Sequence, residues 1–213
     1  MLRVGLTGGI ACGKSTVAVM LREREVLILD ADPLVHEMLE SGQPVYEEVV
    51  REFGPEILTP GLKIDRAKLA AIVFKDHARL ARLNQIIHPR VMEVVQKWFA
   101  ALDRSGGPRF AVVEAALLVE AGYREKLDRL VVVRCKPEQQ IARLRARGFS
   151  EEQARQRISA QMPIDEKAQL ADDVIDASGS LEETERQVDE LVDRLGRLAA
   201  AGVLQDRKSS SDS

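Results

Sequence analysis

Residues 8–15 read Gly8-Gly9-Ile10-Ala11-Cys12-Gly13-Lys14-Ser15, which is a complete G-x-x-x-x-G-K-[ST] pattern. The glycines of such a loop let the backbone turn tightly and point its N–H groups inward at a chain of phosphates. Residues 3–6 before it have the composition of a short buried strand, and residues 15–21 after it continue at helical spacing. A strand, this loop and a helix N-terminus together predict a phosphate-binding site.

The loop also assigns roles to single residues. Lys14 is expected to reach the β- and γ-phosphates of a nucleotide, and the Ser15 hydroxyl is expected to ligate Mg²⁺. Cys12 has two interpretations, since a helix N-terminus and a nearby lysine lower a thiol pKa and favour a redox-sensitive site. In the other, Cys12 is a small residue whose backbone N–H binds phosphate. Cys135 follows a buried strand and is expected to lie in the core.

Five apolar runs of strand length recur along the chain, at residues 3–6, 26–29, 110–113, 130–133 and 174–175. Helical patterns separate them, and the runs do not alternate between apolar and polar residues. Runs of this kind are typical of a parallel sheet covered on both faces. The sequence therefore predicts an α/β protein with five parallel strands, whose functional residues follow the carboxyl ends of the strands.

The spacing between strands predicts two further segments. Residues 41–107 form a long insertion between the second and third strands, with helices at 44–53, 65–74 and 77–102, and we expect it to bind the substrate. Residues 137–169 carry two charged helices, at 137–147 and 150–161, and are expected to form a mobile lid. The core is then 1–40, 108–136 and 170–204, and it ends in a helix at 181–200. Its apolar stripe is Val188, Leu191, Val192, Leu195, Leu198 and Ala199. Residues 205–213 are polar, and we expect a disordered tail.

Composition excludes several classes of protein. With 213 residues, 45% hydrophobic and 31% charged, the chain suits a single globular domain. A net charge of −3 does not favour a nucleic-acid or membrane-surface binder, and no long apolar run predicts a membrane span. Two cysteines are too few for a disulfide framework, and no secretory leader is visible, so we expect a cytoplasmic protein. A monomer or a small homo-oligomer is expected.

Carboxylates follow two of the strands. Asp30-Ala31-Asp32-Pro33 ends the second strand, and either aspartate is placed to take a proton from an acceptor hydroxyl. An Asp followed by Pro is also an ordinary helix start, so a catalytic role and a helix-capping role are equally favoured. Of the two aspartates, Asp30 is the one expected to have a structural role. Glu114 ends the third strand and is expected either to hold the Mg²⁺ water shell or to pair with Lys14 or an arginine.

Basic residues supply the remaining candidates. His88 precedes a proline, which begins or kinks a helix, and the histidine is either a packed residue or a substrate ligand. Four arginines lie in the expected lid: Arg143, Arg147, Arg155 and Arg157. One or two of them are expected to screen the charge of a transferring phosphoryl group, and the others to lie on a solvated charged face.

An ordered set of motifs resembles the dephospho-CoA kinase family of P-loop kinases over residues 2–192. The N-terminal motifs are Leu6-Thr7-Gly8-Gly9-Ile10, Gly13-Lys14-Ser15-Thr16 and Asp30-Ala31-Asp32. The insertion carries Phe53-Gly54, Ile64-Asp65-Arg66, Val73-Phe74 and Ile86-Ile87-His88-Pro89. The C-terminal motifs are Leu117-Leu118-Val119-Glu120, the run from Arg157 to Pro163, and the run from Ala171 to Asp176.

The resemblance implies phosphorylation of the ribose 3′-hydroxyl of dephospho-CoA by ATP and Mg²⁺. It implies that Asp32 is the catalytic base, that Arg66 and His88 lie near dephospho-CoA, and that Arg143 and Arg147 act in the lid. It also implies that the loop residues hold the ATP phosphates; these are Gly8, Gly9, Ala11, Cys12, Gly13, Lys14, Ser15 and Thr16. Lys14 counts among the catalytic residues as well. Ser15 and Glu114 are the candidates for the metal site.

The chain departs from the family pattern at three places. Ala116 stands where the family usually has proline, Ala177 replaces a common asparagine near the adenine, and the lid lacks an acidic residue beside Arg147. Two other functions share the loop. One is another small P-loop kinase, acting on a nucleoside, a nucleoside monophosphate or a shikimate-like alcohol. The other is a GTPase switch, against which the absence of an Asn-Lys-x-Asp element counts, since Asn84 is the only asparagine.

Overall fold

The computed structural model describes residues 1–73 and 75–209, without the side chains of residues 77 and 202–209. Its five strands are β1 (Leu2–Gly8), β2 (Ile28–Asp30), β3 (Phe110–Glu114), β4 (Arg129–Arg134) and β5 (Asp173–Asp176). They form one sheet in the order β2-β3-β1-β4-β5, and β1 pairs in parallel with both β3 and β4. The predicted α/β fold with a five-stranded parallel sheet is confirmed.

Both faces of β1 are covered. Val4 and Leu6 point into the main hydrophobic cluster, where they are fully buried. Gly5 points to the other face, where a Cβ atom would lie 2.5 Å from Leu127 Cδ1 and 3.1 Å from Leu118 Cδ1. A strand buried on both sides needs no polar alternation, which explains the continuous apolar runs of the sequence.

Two helices complete the main cluster, α1 (Lys14–Glu23) and α9 (Leu181–Ser209). The predicted stripe on α9 is confirmed at the four buried positions Val188, Leu191, Leu195 and Ala199. Leu198 was predicted to share this stripe, and that is wrong, because 38% of it is exposed. Residues 205–209 fall within α9, and 210–213 of the expected tail lie outside the described residues, as does Phe74.

By internal contacts the chain divides into two compact units, one of Met1–Leu29 with Phe99–Ser213 and one of Asp30–Trp98. The second unit contains α2 (Asp32–Met38), α3 (Pro44–Phe53), a 3-10 turn at Pro55–Ile57, and α4 (Arg66–Val73). It also holds most of α5 (His77–Arg104), which passes through Pro89 without ending there. The insertion is helical, as the sequence predicts.

The region expected to be a lid has three helices, α6 (Pro137–Ala146), α7 (Glu151–Ser159) and α8 (Ile164–Gln169). The first two were predicted. The third has six residues and only Lys167 buried, so it carries no apolar stripe that a pattern could detect. Among the helices that the structure describes, none combines the length and apolar character that a bilayer crossing requires.

Candidate active site

The loop between β1 and α1 has the backbone that its glycines allow. Gly13 has φ 100°, in the left-handed region that favours glycine, and is the N-cap of α1. At Gly8, a Cβ atom would lie 2.5 Å from the carbonyl oxygen of Val133, so a side chain there would collide with β4. Ala11 also has a positive φ, 61°, which costs about 1 kcal/mol for a residue with a Cβ. Strain of this kind is common where a backbone is shaped for a ligand.

Lys14 begins α1 and is held by a buried carboxylate. Its Nζ donates to Glu114 Oε1 at 3.0 Å, and Glu114 is only 2% exposed at the end of β3. The other oxygen of Glu114 accepts from Arg22 Nη2 at 3.4 Å. The carboxylate therefore faces two cations, which offsets the cost of burying its charge.

The donors near Lys14 suit a magnesium ion. Mg²⁺ binds oxygen ligands, keeps several waters, and takes one or two protein ligands beside substrate phosphates. Ser15, in the first turn of α1, supplies a hydroxyl oxygen of this kind, and Glu114, at the carboxyl end of β3, supplies carboxylate oxygens. Within the described residues, no group of three or more His, Cys, Asp and Glu side chains could hold a metal alone. The hydroxyl of Ser15 and the carboxylate of Glu114 are thus compatible with a magnesium ion that also binds phosphate oxygens.

Two glutamines fix the loop at Ile10. Gln140 Nε2, on α6, donates to the carbonyl oxygen of Ile10 at 2.8 Å, and Gln161 Oε1 accepts from its N–H at 2.9 Å. Gln140 is 3% exposed. Both backbone polar groups of this one loop residue are thus bound by side chains of the 137–169 region, which holds the loop in place before any nucleotide arrives.

Arg143 joins the loop to the end of the sheet. Its Nη1 donates to the carbonyl oxygen of Ala11 at 3.1 Å and its Nη2 to that of Ala177 at 3.2 Å. A pocket of about 280 Å³ lies beside these contacts. Its lining includes Ala11, Gly13, Thr16, Arg143, Arg147 and Ala177. Because Ala177 carries only a methyl group, polar contacts from this residue to a base would come from its backbone.

The four arginines predicted to lie in a lid divide into two pairs. Arg143 and Arg147 line the pocket. Arg155 forms a solvent-exposed ion pair with Glu151 at 2.8 Å, and Arg157 stacks over the ring of Phe149 at 4.3 Å. The ion pair of Arg155 is typical of a charged helix surface, and the stacking of Arg157 is a packing contact.

Asp30 and Asp32 have different local roles at the start of α2. Ala31 is the N-cap, and it has no side-chain hydrogen bond to offer. Instead, Asp30 Oδ1 accepts from the backbone N–H of Asp32 at 3.0 Å. Asp30 therefore stabilises the start of α2 by accepting a hydrogen bond from a backbone N–H group of its first turn, which is the usual role of an aspartate at a helix start. Asp32 is exposed, at the first position of the helix.

Arg66 and His88 lie on the helices of the insertion. Arg66 is exposed at the first position of α4, just after Asp65, whose carboxylate accepts from the N–H groups of Ala67 and Lys68. His88 lies within α5 and is half-buried. Both belong to the Asp30–Trp98 unit.

A buried ion pair, which the sequence analysis missed, supports the 137–169 region. Lys167 on α8 is 0% exposed, and its Nζ lies 2.9 Å from Glu120 Oε1. The same Nζ donates to the carbonyl oxygen of Ala116 at 3.1 Å, and Glu120 also accepts from the N–H of Met162. No sequence pattern signals this pair, because its members lie on separate elements.

The two cysteines are in contact. Both are buried, and their sulfur atoms lie 2.9 Å apart. The contact with Cys135, together with burial, raises the pKa of the Cys12 thiol. Of the two interpretations of Cys12, the one that relies on a lowered pKa is therefore wrong, since its sulfur contacts another thiol. The pKa of Cys135 is the one that is lowered, by the contact with Cys12 and by the charge of Arg143.

Comparison with known proteins finds one enzyme family. A family model described as dephospho-CoA kinase matches residues 2–183. A dephospho-CoA kinase from Aquifex aeolicus is 47% identical over 197 residues, which are 92% of this chain and 99% of that protein. One from Thermobifida fusca is 43% identical, over 92% of this chain and 98% of its own.

Several solved structures are similar to this chain in fold. The crystal structure of TT1252 from Thermus thermophilus has a TM-score of 0.77 and 35% identity, and covers 91% of this chain and 97% of its own. Dephospho-CoA kinase from Campylobacter jejuni has a TM-score of 0.66 and 26% identity. The match covers 92% of this chain and 97% of that protein's chain. A shikimate kinase from Bacteroides thetaiotaomicron, 16% identical with a TM-score of 0.53 and coverages of 91% and 98%, shares the fold.

Proposed function

The chain belongs to the dephospho-CoA kinase family, and we propose from this premise that it transfers the γ-phosphoryl group of ATP to the ribose 3′-hydroxyl of dephospho-CoA, giving ADP and CoA. One observation carries the proposal. It is the loop of residues 8–15, in which Lys14 Nζ forms an ion pair with Glu114 Oε1 at 3.0 Å. It supplies the positive charge and the backbone N–H groups that phosphoryl transfer requires. The family membership supplies the acceptor.

The loop binds the triphosphate in this proposal. Backbone N–H groups of the loop surround the phosphates, apart from those of Ile10 and Cys12, which donate to Gln161 and to the carbonyl oxygen of Gly9. The N-terminus of α1 is directed toward the negative charge of the phosphates. Lys14 leaves Glu114 and binds the β- and γ-phosphates, where its charge stabilises the transition state. Glu114 keeps Arg22 as a partner when this happens.

Ser15 and Glu114 are the residues that hold Mg²⁺ in this proposal. Ser15 would hold the ion through its hydroxyl, and Glu114 would hold it through the waters that Mg²⁺ keeps. When bound, the ion neutralises charge on the phosphates.

Asp32 is the proposed general base. Its carboxylate accepts the proton of the 3′-hydroxyl as the oxygen attacks phosphorus. Two observations support Asp32 over Asp30: its side chain is exposed, and the cap of α2 is supplied by Asp30 instead. The family resemblance favours the same residue.

The insertion and the lid bind the acceptor and close the site in this proposal. We assign acceptor binding to residues 41–107, with Arg66 and His88 as ligands of dephospho-CoA. Arg143 and Arg147 are assigned to the phosphates of ATP, because both line the pocket beside the loop. Closure of residues 137–169 then excludes water, so that the alcohol rather than water receives the phosphoryl group. We place the enzyme in the cytoplasm, acting on these two small molecules.

An acceptor panel tests the proposal. Purified protein is incubated with Mg-ATP and, separately, dephospho-CoA, nucleoside monophosphates and shikimate, and each product is identified by mass spectrometry. CoA formation above all other products is expected. Turnover of a nucleoside monophosphate or of shikimate alone would assign the chain another kinase activity. GTP used in preference to ATP, without any phosphorylated product, would favour a nucleotide switch.

A further inference from the structure

Cys12 and Cys135 form a pair that phosphoryl transfer does not use. They are 123 residues apart in the chain, yet their sulfur atoms lie 2.9 Å apart in the interior. Cys12 belongs to the phosphate-binding loop and Cys135 follows β4. We propose that this pair is an oxidation site, at which a hydroperoxide forms an internal disulfide that weakens nucleotide binding.

The distance between the sulfur atoms favours the bond. A disulfide has its sulfur atoms about 2.05 Å apart, so the two atoms need to approach by less than about 1 Å. Within the described residues these two thiols are free cysteines, and each is the other's nearest candidate for a bond. No large movement of β4 or of the loop is therefore required to form the bond.

The two cysteine residues differ in their surroundings, although both are buried and Cys135 is only 4% exposed. Cys12 is fully buried behind the loop, with 0% exposed. Cys135 lines a surface pocket of about 270 Å³ with Arg134, Lys136 and Asp176. A molecule as small as hydrogen peroxide fits such a pocket. The lowered pKa of Cys135 also favours its thiolate, which is the form that reacts with peroxide.

The reaction then has two balanced steps. The Cys135 thiolate attacks one oxygen of hydrogen peroxide, the O–O bond breaks, and Cys135 becomes a sulfenic acid while hydroxide leaves. The Cys12 thiol gives up its proton, attacks the Cys135 sulfur and expels hydroxide, so that an S–S bond forms. In sum, two thiols and one hydrogen peroxide give one disulfide and two waters.

The consequence for binding follows from the position of Cys12. It lies between Ala11, with φ 61°, and Gly13, with φ 100°, whose conformations aim the N–H groups of the loop. A covalent bond to Cys135 draws the Cys12 sulfur toward the residue that follows β4 and restricts these dihedral angles. Since phosphate binding depends on the direction of these N–H groups, we expect Mg-ATP to bind at least tenfold more weakly.

The inference rests on the ATP binding of the proposed function, and the experiment omits the acceptor, so that its result does not depend on whether dephospho-CoA is phosphorylated. Wild-type protein is treated with hydrogen peroxide, digested without reductant, and searched for the peptide pair joined at Cys12 and Cys135. The dissociation constant of Mg-ATP is measured by calorimetry before oxidation, after it, and after dithiothreitol. We expect the joined peptide, at least tenfold weaker binding, and full recovery on reduction.

Cys135→Ala is the matched control, with Cys135→Ser as a second variant in case the first does not fold. Either variant should bind Mg-ATP as the untreated wild type does and should keep that affinity after peroxide. Three results would overturn the proposal: sulfinic or sulfonic acids with no joined peptide, a joined peptide with an unchanged dissociation constant, or an equal loss of affinity in wild type and variant.

Discussion

Lys14 and Glu114 form an ion pair of 3.0 Å between the start of α1 and the end of β3. Glu114 is 2% exposed and also binds Arg22, at 3.4 Å. The carboxylate therefore retains one cation if Lys14 turns to a phosphate. The pair holds the lysine at the loop in the absence of nucleotide, and its release is the first step of the proposed cycle.

Glu114→Gln tests the role of this carboxylate toward magnesium. The amide keeps the shape of the side chain but loses the charge that attracts the ion and its waters. The Mg²⁺ concentration needed for half-maximal CoA formation should rise about 10- to 100-fold, as is usual when a supporting group of a metal site is lost. A magnesium titration of the rate measures this. Glu23→Gln, on the exposed end of α1, is the control, and equal titrations for both variants would remove Glu114 from the metal site.

Asp32→Asn tests the general base. The rate of CoA formation should fall about 10²- to 10⁴-fold, because the amide cannot accept the proton, while the dissociation constant of ATP should stay the same. Rapid-mixing kinetics and calorimetry measure the two quantities.

Asp30→Asn is the matched control for that variant. It should keep most of its activity and lose at most about 1 kcal/mol of stability from the start of α2. If Asp30→Asn were the inactive variant and Asp32→Asn the active one, the two assignments would be exchanged.

Arg143→Ala tests the contacts of the lid with the loop. It removes the hydrogen bonds to the carbonyl oxygens of Ala11 and Ala177, and one positive charge beside the pocket. Weaker ATP binding and a lower kcat are both expected, since loop geometry and phosphate charge are affected together. Steady-state kinetics with varied ATP separate kcat from KM. Arg155→Ala, whose exposed partner is Glu151, should match the wild type, and an equal effect of both variants would contradict the assignment.

Lys167→Met tests the buried ion pair. Removing the cation leaves Glu120 without its charged partner, which should lower the free energy of unfolding by about 3 kcal/mol. Urea unfolding measures the change. The double variant with Glu120→Leu should regain much of that loss, because an apolar pair of similar size replaces the two charges. A double variant less stable than Lys167→Met would contradict the explanation.

Local sequence was sufficient for the parts of this fold that depend on neighbouring residues. The run Gly8–Ser15 predicts the phosphate-binding loop, because its glycines stand at the positions where the loop backbone requires residues without a side chain. The continuous apolar runs predict the strands because both faces of the sheet are covered. The start of α3 at Pro44 follows from proline's preference for the first turn of a helix.

The remaining features depend on contacts between distant residues. Gln140 and Ile10 are 130 residues apart, and neither residue type predicts the other. The neighbours of Cys12 along the chain predict a lowered thiol pKa, but the contact with Cys135 and burial raise it. Only the folded sheet brings β1 beside β4, and with them the two thiols.

The most direct test compares two acceptors that differ by one oxygen atom. Purified protein with Mg-ATP is given dephospho-CoA or its 3′-deoxyribose analogue, and ADP release and the mass of the coenzyme product are followed together. The account predicts one ADP for each CoA from dephospho-CoA, and no phosphorylated product from the analogue. Equal phosphorylation of the two compounds, or ADP release without CoA, would contradict it.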